Sequence, residues 1–217
     1  MILAAGRGSR MRPLTDQTPK PLLEAGGKPL VAWLLERLAR AHFTDVVINV
    51  AHLGERIEAA LGDGTRWGVT IRYSREAEAL ETAGGIATAL QLLGTEPFVV
   101  VNGDLFTEFD FTRLEPPRDA LAHLVLIDNP PHHPSGDFTL HERRVSNDGA
   151  VRYTFSGIGV YHPALFEGIA AGTKCQLATV LRPAIDAGRV SGEHFGGRWL
   201  DVGTPDRLAE LDRALRL

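Results

Sequence analysis

One cysteine, Cys175, stands in 217 residues. An intramolecular disulfide is therefore excluded, as is a cysteine-rich zinc site, and a reducing compartment suits the chain. Positive charge is not in surplus either: 23 Lys and Arg against 27 Asp and Glu leave a net charge of -4 and a pI near 6.1. Nucleic acid and anionic membranes are thus not expected partners, and any phosphate must be recognised locally. No run approaches the roughly 20 apolar residues of a membrane span, and no basic segment leads into an apolar stretch at the start, so a cytoplasmic setting is expected. Aromatic residues make up 7%, and Trp33, Trp67 and Trp199 are too scattered to form base-stacking platforms; they are read as packing residues. Repeats, low-complexity segments and linkers are missing too. With 44% hydrophobic residues the chain can build a proper core, and its length suits one large α/β domain or two small ones; a single domain over 1–217 is expected.

What is present is concentrated at the beginning. Met1-Ile-Leu-Ala-Ala-Gly-Arg-Gly-Ser-Arg-Met-Arg-Pro-Leu-Thr15 runs on to Thr18-Pro-Lys-Pro21. A short strand over Ile2–Ala4 would deliver Gly6 and Gly8, whose backbone can turn N–H groups towards an anion. Arg7, Arg10, Arg12 and Lys20 add four cations, and in an acidic chain such a concentration beside glycine points to a polyphosphate. The glycines read G-x-G-x-R, so the third glycine of the dinucleotide fingerprint is missing, and no G-K-[ST] follows to make a nucleoside-triphosphatase loop. The strand starting at residue 1 is short, so a few native residues are expected to precede it.

The rest of the chain alternates. Pro29–Ala41 has leucines at helical spacing, and Val46–Val50 is an apolar β-branched run suited to a strand buried on both faces. Leu53–Leu61 reads as a returning helix, Gly62-Asp-Gly64 as its end, and Val69–Tyr73 as a third strand. Glu81–Gly85 reads as a turn before a helix over Ile86–Leu93, and Pro97–Val101 as a buried strand ending in Asn102-Gly-Asp104. This order predicts an α/β, doubly wound, mostly parallel Rossmann-like sheet, with ligands collecting at the carboxyl ends of its strands. After a break at Pro116-Pro117, Leu121–Ile127 reads as a strand. Phe138–Leu140, Arg143–Ser146, Val151–Thr154 and Gly157–Tyr161 read as short strands of a smaller, partly antiparallel lobe expected to cover the sheet's open edge. Pro163–Ala170 and Leu177–Ala187 are expected as helices, Val190–Phe195 and Trp199–Val202 as strands, and Thr204-Pro205 as the cap of a last helix to about Leu215.

Two aspartates follow apolar strands, Asp104 and, in Trp199-Leu-Asp-Val-Gly203, Asp201. Brought together they would offer hard oxygen ligands to Mg²⁺, with water and substrate phosphates completing the shell. Left apart they are strand-end caps, and the residues alone allow both readings. His123, His132, His133 and His141 lack the spacing of a metal site: neighbours in an extended segment face opposite ways, and no C-x-x-C or H-E-x-x-H accompanies them.

Leu3–Thr15 followed by Pro19-Lys-Pro21 closely resembles the signature L-A-A-G-x-G-x-R-x-x-P-L-T with P-K-P of the sugar nucleotidyltransferases. Gly103-Asp104 and Trp199–Thr204 resemble that family's two metal-aspartate motifs, in the family's order. The likeness covers nearly the whole chain and implies a GT-A-like fold with a sugar-binding lobe. It further implies a nucleoside triphosphate and a sugar 1-phosphate as partners, and Mg²⁺ as cofactor on Asp104 and Asp201. Arg10 would then meet the β- and γ-phosphates and Lys20 the phosphates at the reacting centre. Ala5, Gly6, Gly8, Glu81, Ala83, Gly84 and Asn102 would contact the nucleotide, and Asp137, Gly157 and Glu193 the sugar. Val101–Asp104, His132-His133 before Gly136-Asp-Phe138, Phe155–Ile158 and Ser191–His194 resemble one subfamily's residues, and that resemblance implies UTP and N-acetylmuramic acid 1-phosphate as the pair, with GTP and mannose 1-phosphate as the alternative. A non-catalytic sugar-nucleotide-binding subunit is a further alternative, although it would be expected to have lost one of Arg10, Lys20, Asp104 or Asp201. The chain departs from many members in having no Glu-Lys-Pro between 140 and 155, a segment that usually serves the sugar pocket. No hexapeptide-repeat segment is seen, so no acetyltransferase half is expected. The oligomeric state is left open.

Overall fold

The computed structural model describes residues 1–114 and 119–216; the break expected at Pro116-Pro117 lies outside them. In chain order the described residues form β1 (Ile2–Leu3), β2 (Glu24–Ala25), β3 (Lys28–Pro29), α1 (Leu30–Arg40), β4 (Asp45–Val50), α2 (Gly54–Leu61) and β5 (Thr70–Arg75). There follow α3 (Glu81–Leu93), β6 (Phe98–Asn102), β7 (Leu105–Thr107), β8 (Ala122–Ile127), β9 (Thr139–His141), β10 (Arg144–Ser146) and β11 (Thr154–Tyr161). The chain closes with α4 (Leu177–Asp186), β12 (Val190–His194), β13 (Trp199–Asp201) and α5 (Pro205–Leu215). No helix among them is long and apolar enough to cross a membrane.

The elements group into two units. The first gathers Met1–Leu80, Asn102–Arg113 and Arg198–Leu217. Its sheet is parallel, β5 beside β4 beside β1, with Val46 opposite Ile71 and Ile2 opposite Ile48. All of Val46–Val50 is buried, as an apolar run in a parallel strand requires. Leu30, Leu34, Leu35 and Leu38 of α1 are buried, while Arg37 and Arg40 lie on the other side of the stripe. A second layer forms where β13 pairs antiparallel with β7, Asp201 opposite Leu105 and Leu200 opposite Phe106. Met11, Leu23, Phe106, Val202 and Leu211 share one buried cluster, so the beginning, middle and end of the sequence meet there. Thr204 caps α5 and accepts the Arg207 N–H, as the Thr-Pro pair predicts.

The second unit comprises Glu81–Val101 and Leu114–Gly197. Here the sheet is mixed: β11 is antiparallel to both β6 and β8, β12 is parallel to β8, and β10 is antiparallel to β12 and β9. The short strands therefore do not cover an edge but carry on the sheet from β6. β8 is buried along its whole length, as an apolar strand covered on both faces of the sheet requires.

Three sequence expectations are corrected in this unit. The Glu81–Gly85 turn is the first turn of α3: Ala83, Gly84 and Gly85 are buried helix residues, and the paired glycines do not break the helix. Val151–Thr154 and Gly157–Tyr161 are not two strands; β11 runs from Thr154, and the register against β8 shifts between Phe155 and Ile158. Gly157 takes φ +80° inside that bulge, where an extra residue bends the strand without ending it. The helix expected over Pro163–Ala170 is a single 3-10 turn, Pro163–Phe166, and Gly168 at φ +94° prevents its continuation.

Candidate active site

The loop after β1 is held by burial at one residue and hydrogen bonds around it. Met11 is fully buried, so Arg10 and Arg12 on either side are forced outward. Gly8 takes φ +61°, and its carbonyl accepts both the Met11 N–H and the Thr15 hydroxyl, each at 2.8 Å. A Cβ at Gly8 would stand 2.9 Å from Thr15 Cγ2 and 3.2 Å from Lys20 Cβ. Glycine is therefore needed for the turn and for the seat of Lys20. Around Gly6, by contrast, a Cβ would meet nothing within 4 Å, so the open side of the loop lies beside it. Arg12 is engaged by Asp16 at 3.2 Å, and both it and Arg10 are exposed.

Lys20, only 9% exposed overall, ends in an ion pair with Asp104. Asp104 follows Gly103, whose N–H donates to the Leu3 carbonyl at 2.8 Å. Leu3 O would lie 2.6 Å from a Cβ at Gly103, so only glycine lets the two strand ends approach. Gly103→Ala should therefore lower stability by about 1 to 3 kcal/mol, the usual cost of forcing a group into a packed site. A thermal melt checks this, and an unshifted midpoint would refute the tight approach.

Asp201 reaches the same layer from β13. The Val202 N–H donates to the Asp104 carbonyl at 3.0 Å, which ties the turn carrying Asp104, just before β7, to the end of β13 carrying Asp201. Arg207 Nη1 contacts Asp201 Oδ2 at 3.0 Å and the Asp201 carbonyl at 2.9 Å. The two carboxylate side chains keep 27% and 22% of their exposure. Among the described residues no group of three or more His, Cys, Asp or Glu side chains could hold a metal ion. Asp104 and Asp201 bring two carboxylates, short of the four protein ligands of a closed zinc site. Two carboxylates are a donor set that suits a hard cation such as Mg²⁺, whose octahedron is otherwise filled by water and substrate phosphate.

A cleft of about 770 Å³ is lined in the same unit by Val50, Ala51, Arg56, Glu58, Arg75 and Glu76, among others. None of the predicted site residues lines it. The Arg75 fork holds the half-buried Glu58 carboxyl below its ordinary range.

The predicted nucleotide residues of the second unit lie in the first turn of α3. Glu81 takes φ +62°, and Ala83 is fully buried. The Gly84 N–H donates to the Cys175 carbonyl at 3.0 Å, and its carbonyl accepts the Thr88 hydroxyl at 2.8 Å. That hydroxyl in turn accepts the Gly172 N–H at 2.9 Å. Residues 172–175 are thereby strapped onto the helix start. Two of the three predicted sugar residues flank one level of the sheet: Ile158, beside Gly157, is opposite Val125, which is opposite Glu193. Asp137 Oδ2 accepts the Phe155 N–H at 2.8 Å and its Oδ1 meets His133 Nε2 at 3.0 Å, so this carboxylate pins the loop to the bulge. Glu193 Oε1 faces His123 Nε2 at 3.3 Å, and His123 Nδ1 meets the Ser191 hydroxyl at 2.9 Å.

Sequence reasoning missed Arg207, His123, Asn49 and Glu76. The signal for Asn49 is a lone amide in the apolar run VVINV; for Arg207 it is a cation in the first turn of α5, where an acid is the usual choice.

Residues 1–216 match the family model described as nucleotidyl transferase. An N-acetylmuramate alpha-1-phosphate uridylyltransferase of Neisseria meningitidis serogroup B is 56% identical over 219 residues, covering 97% of this chain and 95% of that protein. A protein of the same description from Caulobacter vibrioides is 33% identical over 239 residues, covering 100% of this chain and 96% of the other. A solved Bacillus anthracis protein, in complex with a sucrose, superposes with a TM-score of 0.84 at 23% identity, covering 99% of this chain and 94% of that one. That last likeness speaks for the α/β fold alone. With a basic glycine loop, a lysine-aspartate pair and a second aspartate strand in one unit, and a match that runs the length of the sequence, the chain belongs to the nucleotidyl transferase family.

Proposed function

We propose that the protein transfers a uridylyl group from UTP to a sugar 1-phosphate, with N-acetylmuramic acid 1-phosphate as acceptor, releasing pyrophosphate. The observation that carries the chemistry is Lys20, buried on Asp104 behind a loop that is open at Gly6. The acceptor's phosphate oxygen attacks the α-phosphorus, an oxygen–phosphorus bond forms there, and the bond to the β-phosphate breaks. With a second pKa near 6 the attacking phosphate is already mostly ionised at neutral pH, so no general base is required. The protein's task is to align two anions and to offset their repulsion.

In this reading Lys20 supplies positive charge at the reacting phosphates, and exposed Arg10 takes the β- and γ-phosphates with its fork. Ala5, Gly6, Gly8 and Asn102 line the nucleotide's path, and Glu81, Ala83 and Gly84 its base. Since Gly84 has its N–H committed to Cys175, recognition there falls to neighbouring groups. Asp104 and Asp201 would hold Mg²⁺, which when bound neutralises phosphate charge as a Lewis acid. Asp137, Gly157 and Glu193 are assigned to the sugar, with His123 holding Glu193. A cytoplasmic site of action fits the single cysteine and the substrates. Retention of Arg10, Lys20, Asp104 and Asp201 speaks against a non-catalytic subunit.

The test is a matrix of nucleoside triphosphates against sugar 1-phosphates, read as pyrophosphate release. UTP is expected to exceed GTP by at least about tenfold in kcat/KM, equivalent to roughly 1.4 kcal/mol, because a wrong base leaves buried polar groups unpaired. Faster turnover of GTP with mannose 1-phosphate would replace this assignment with a guanylyltransferase and leave the fold and the aspartate pair untouched.

A further inference from the structure

Within the buried run of β4 one side chain is polar: Asn49 is 4% exposed. Its Oδ1 accepts the Ala4 N–H at 2.9 Å, where β1 gives way to the phosphate loop, and its Nδ2 donates to Glu76 Oε1 at 2.7 Å. The amide has no freedom to flip, because a backbone N–H can only donate and so requires the oxygen. Glu76 is 8% exposed. Its Oε2 accepts the Leu80 N–H at 3.0 Å, and its own N–H donates to the Val50 carbonyl at 2.8 Å. A carboxylate in such a place is costly unless its hydrogen bonds are complete, and a core that needed only packing would hold apolar residues here.

We propose that Asn49 and Glu76 are positioning residues that fix the phosphate loop, at Ala4, against the segment 76–80 that leads into α3, and that this fixed arrangement is what the nucleotide binds. Neither side chain is assigned to the reacting atoms. The inference rests on the reading of the loop as a nucleotide site. It extends that reading by making affinity for the nucleoside triphosphate depend on a hydrogen-bond chain running Ala4, Asn49, Glu76, Leu80.

Polarity in this chain can be reversed. In Asn49→Asp two carboxylates face each other. In Glu76→Gln the new amide meets two donors, from Asn49 and Leu80, with one oxygen. In the double variant the carboxylate at position 49 accepts from the Ala4 N–H and from the amide nitrogen at position 76. The amide oxygen at position 76 then accepts from Leu80, so every partner is satisfied at the same shape and total charge. Each single variant should raise the KM for the nucleoside triphosphate roughly tenfold or more while the KM for the sugar 1-phosphate stays within about twofold. The double variant should return to within about threefold of wild type.

Singles that raise both KM values alike, or leave the nucleotide KM unchanged, overturn the proposal. So does a double variant that melts like wild type but remains as impaired as the singles. The nucleotide used is whichever wild type prefers, so a preference for GTP removes the uridylyl assignment and leaves this test intact. A wild type that turns over no nucleoside triphosphate overturns both.

Discussion

Asp104→Ala and Asp201→Ala should each abolish Mg²⁺-dependent pyrophosphate release, with losses of about a thousandfold or more, because under the proposed assignment each removes one of two anionic ligands from a shared ion. The structure adds a second effect to each. Asp104→Ala leaves the Lys20 ammonium buried without the Asp104 carboxylate, and Asp201→Ala removes one carboxylate contact from the Arg207 guanidinium. Stability should fall by about 1 to 3 kcal/mol in each case. Measuring pyrophosphate release together with a thermal melt separates the two effects, since a destabilised but folded variant below its melting point would keep turnover if the aspartates were only structural. Chelation of divalent ions in wild type should mimic the catalytic loss without lowering stability as the substitutions do. Unchanged turnover in either variant refutes the metal assignment.

Lys20→Ala is the other substitution from which a large loss is expected, about a hundredfold or more in kcat. Arg10→Lys should cost nearer tenfold, because the charge stays and only the bidentate fork is lost. The geometry accounts for the difference. Lys20 is buried, seated against Gly8 and fixed on Asp104, so no water or neighbouring side chain replaces its ammonium. Arg10 sits on an exposed turn where a shorter cation can still reach out. Steady-state kcat for the two variants at saturating substrates is the measurement. Equal losses would mean that the two cations exchange roles.

The elements that were legible in the sequence are those whose burial is decided locally. β4 follows from a β-branched run interrupted only by Asn49, α1 from leucines at helical spacing, and the start of α5 from Thr204-Pro205. The loop at Gly6 and Gly8, with Lys20 and Asp104, was legible because glycine, cation and acid each have a local motif. What stayed hidden depends on partners far along the chain. Gly84 and Gly85 look like a turn until Cys175 supplies the acceptor that completes the helix's first turn. The bulge in β11 depends on Asp137 holding the Phe155 N–H. Asn49 and Glu76 stand 27 positions apart, across apparently ordinary strand and helix, and nothing in either neighbourhood announces the hydrogen bond between them.

The first unit is assembled from three separated stretches, and this matters while the chain is being made. Its opening 80 residues leave the ribosome first, yet Val202 and Leu211, which close the cluster around Met11 and Leu23, come near the end. So does β13, the partner of β7. At about 5 to 20 residues per second, the wait between Leu80 and Arg198 is roughly 6 to 24 s. Through that interval the earliest-made apolar residues lack their cover, while the second unit, made between them, is complete by Gly197. The half that carries both aspartates is therefore begun first and finished last, and the apolar residues around Met11 and Leu23 are the ones that wait longest for their cover.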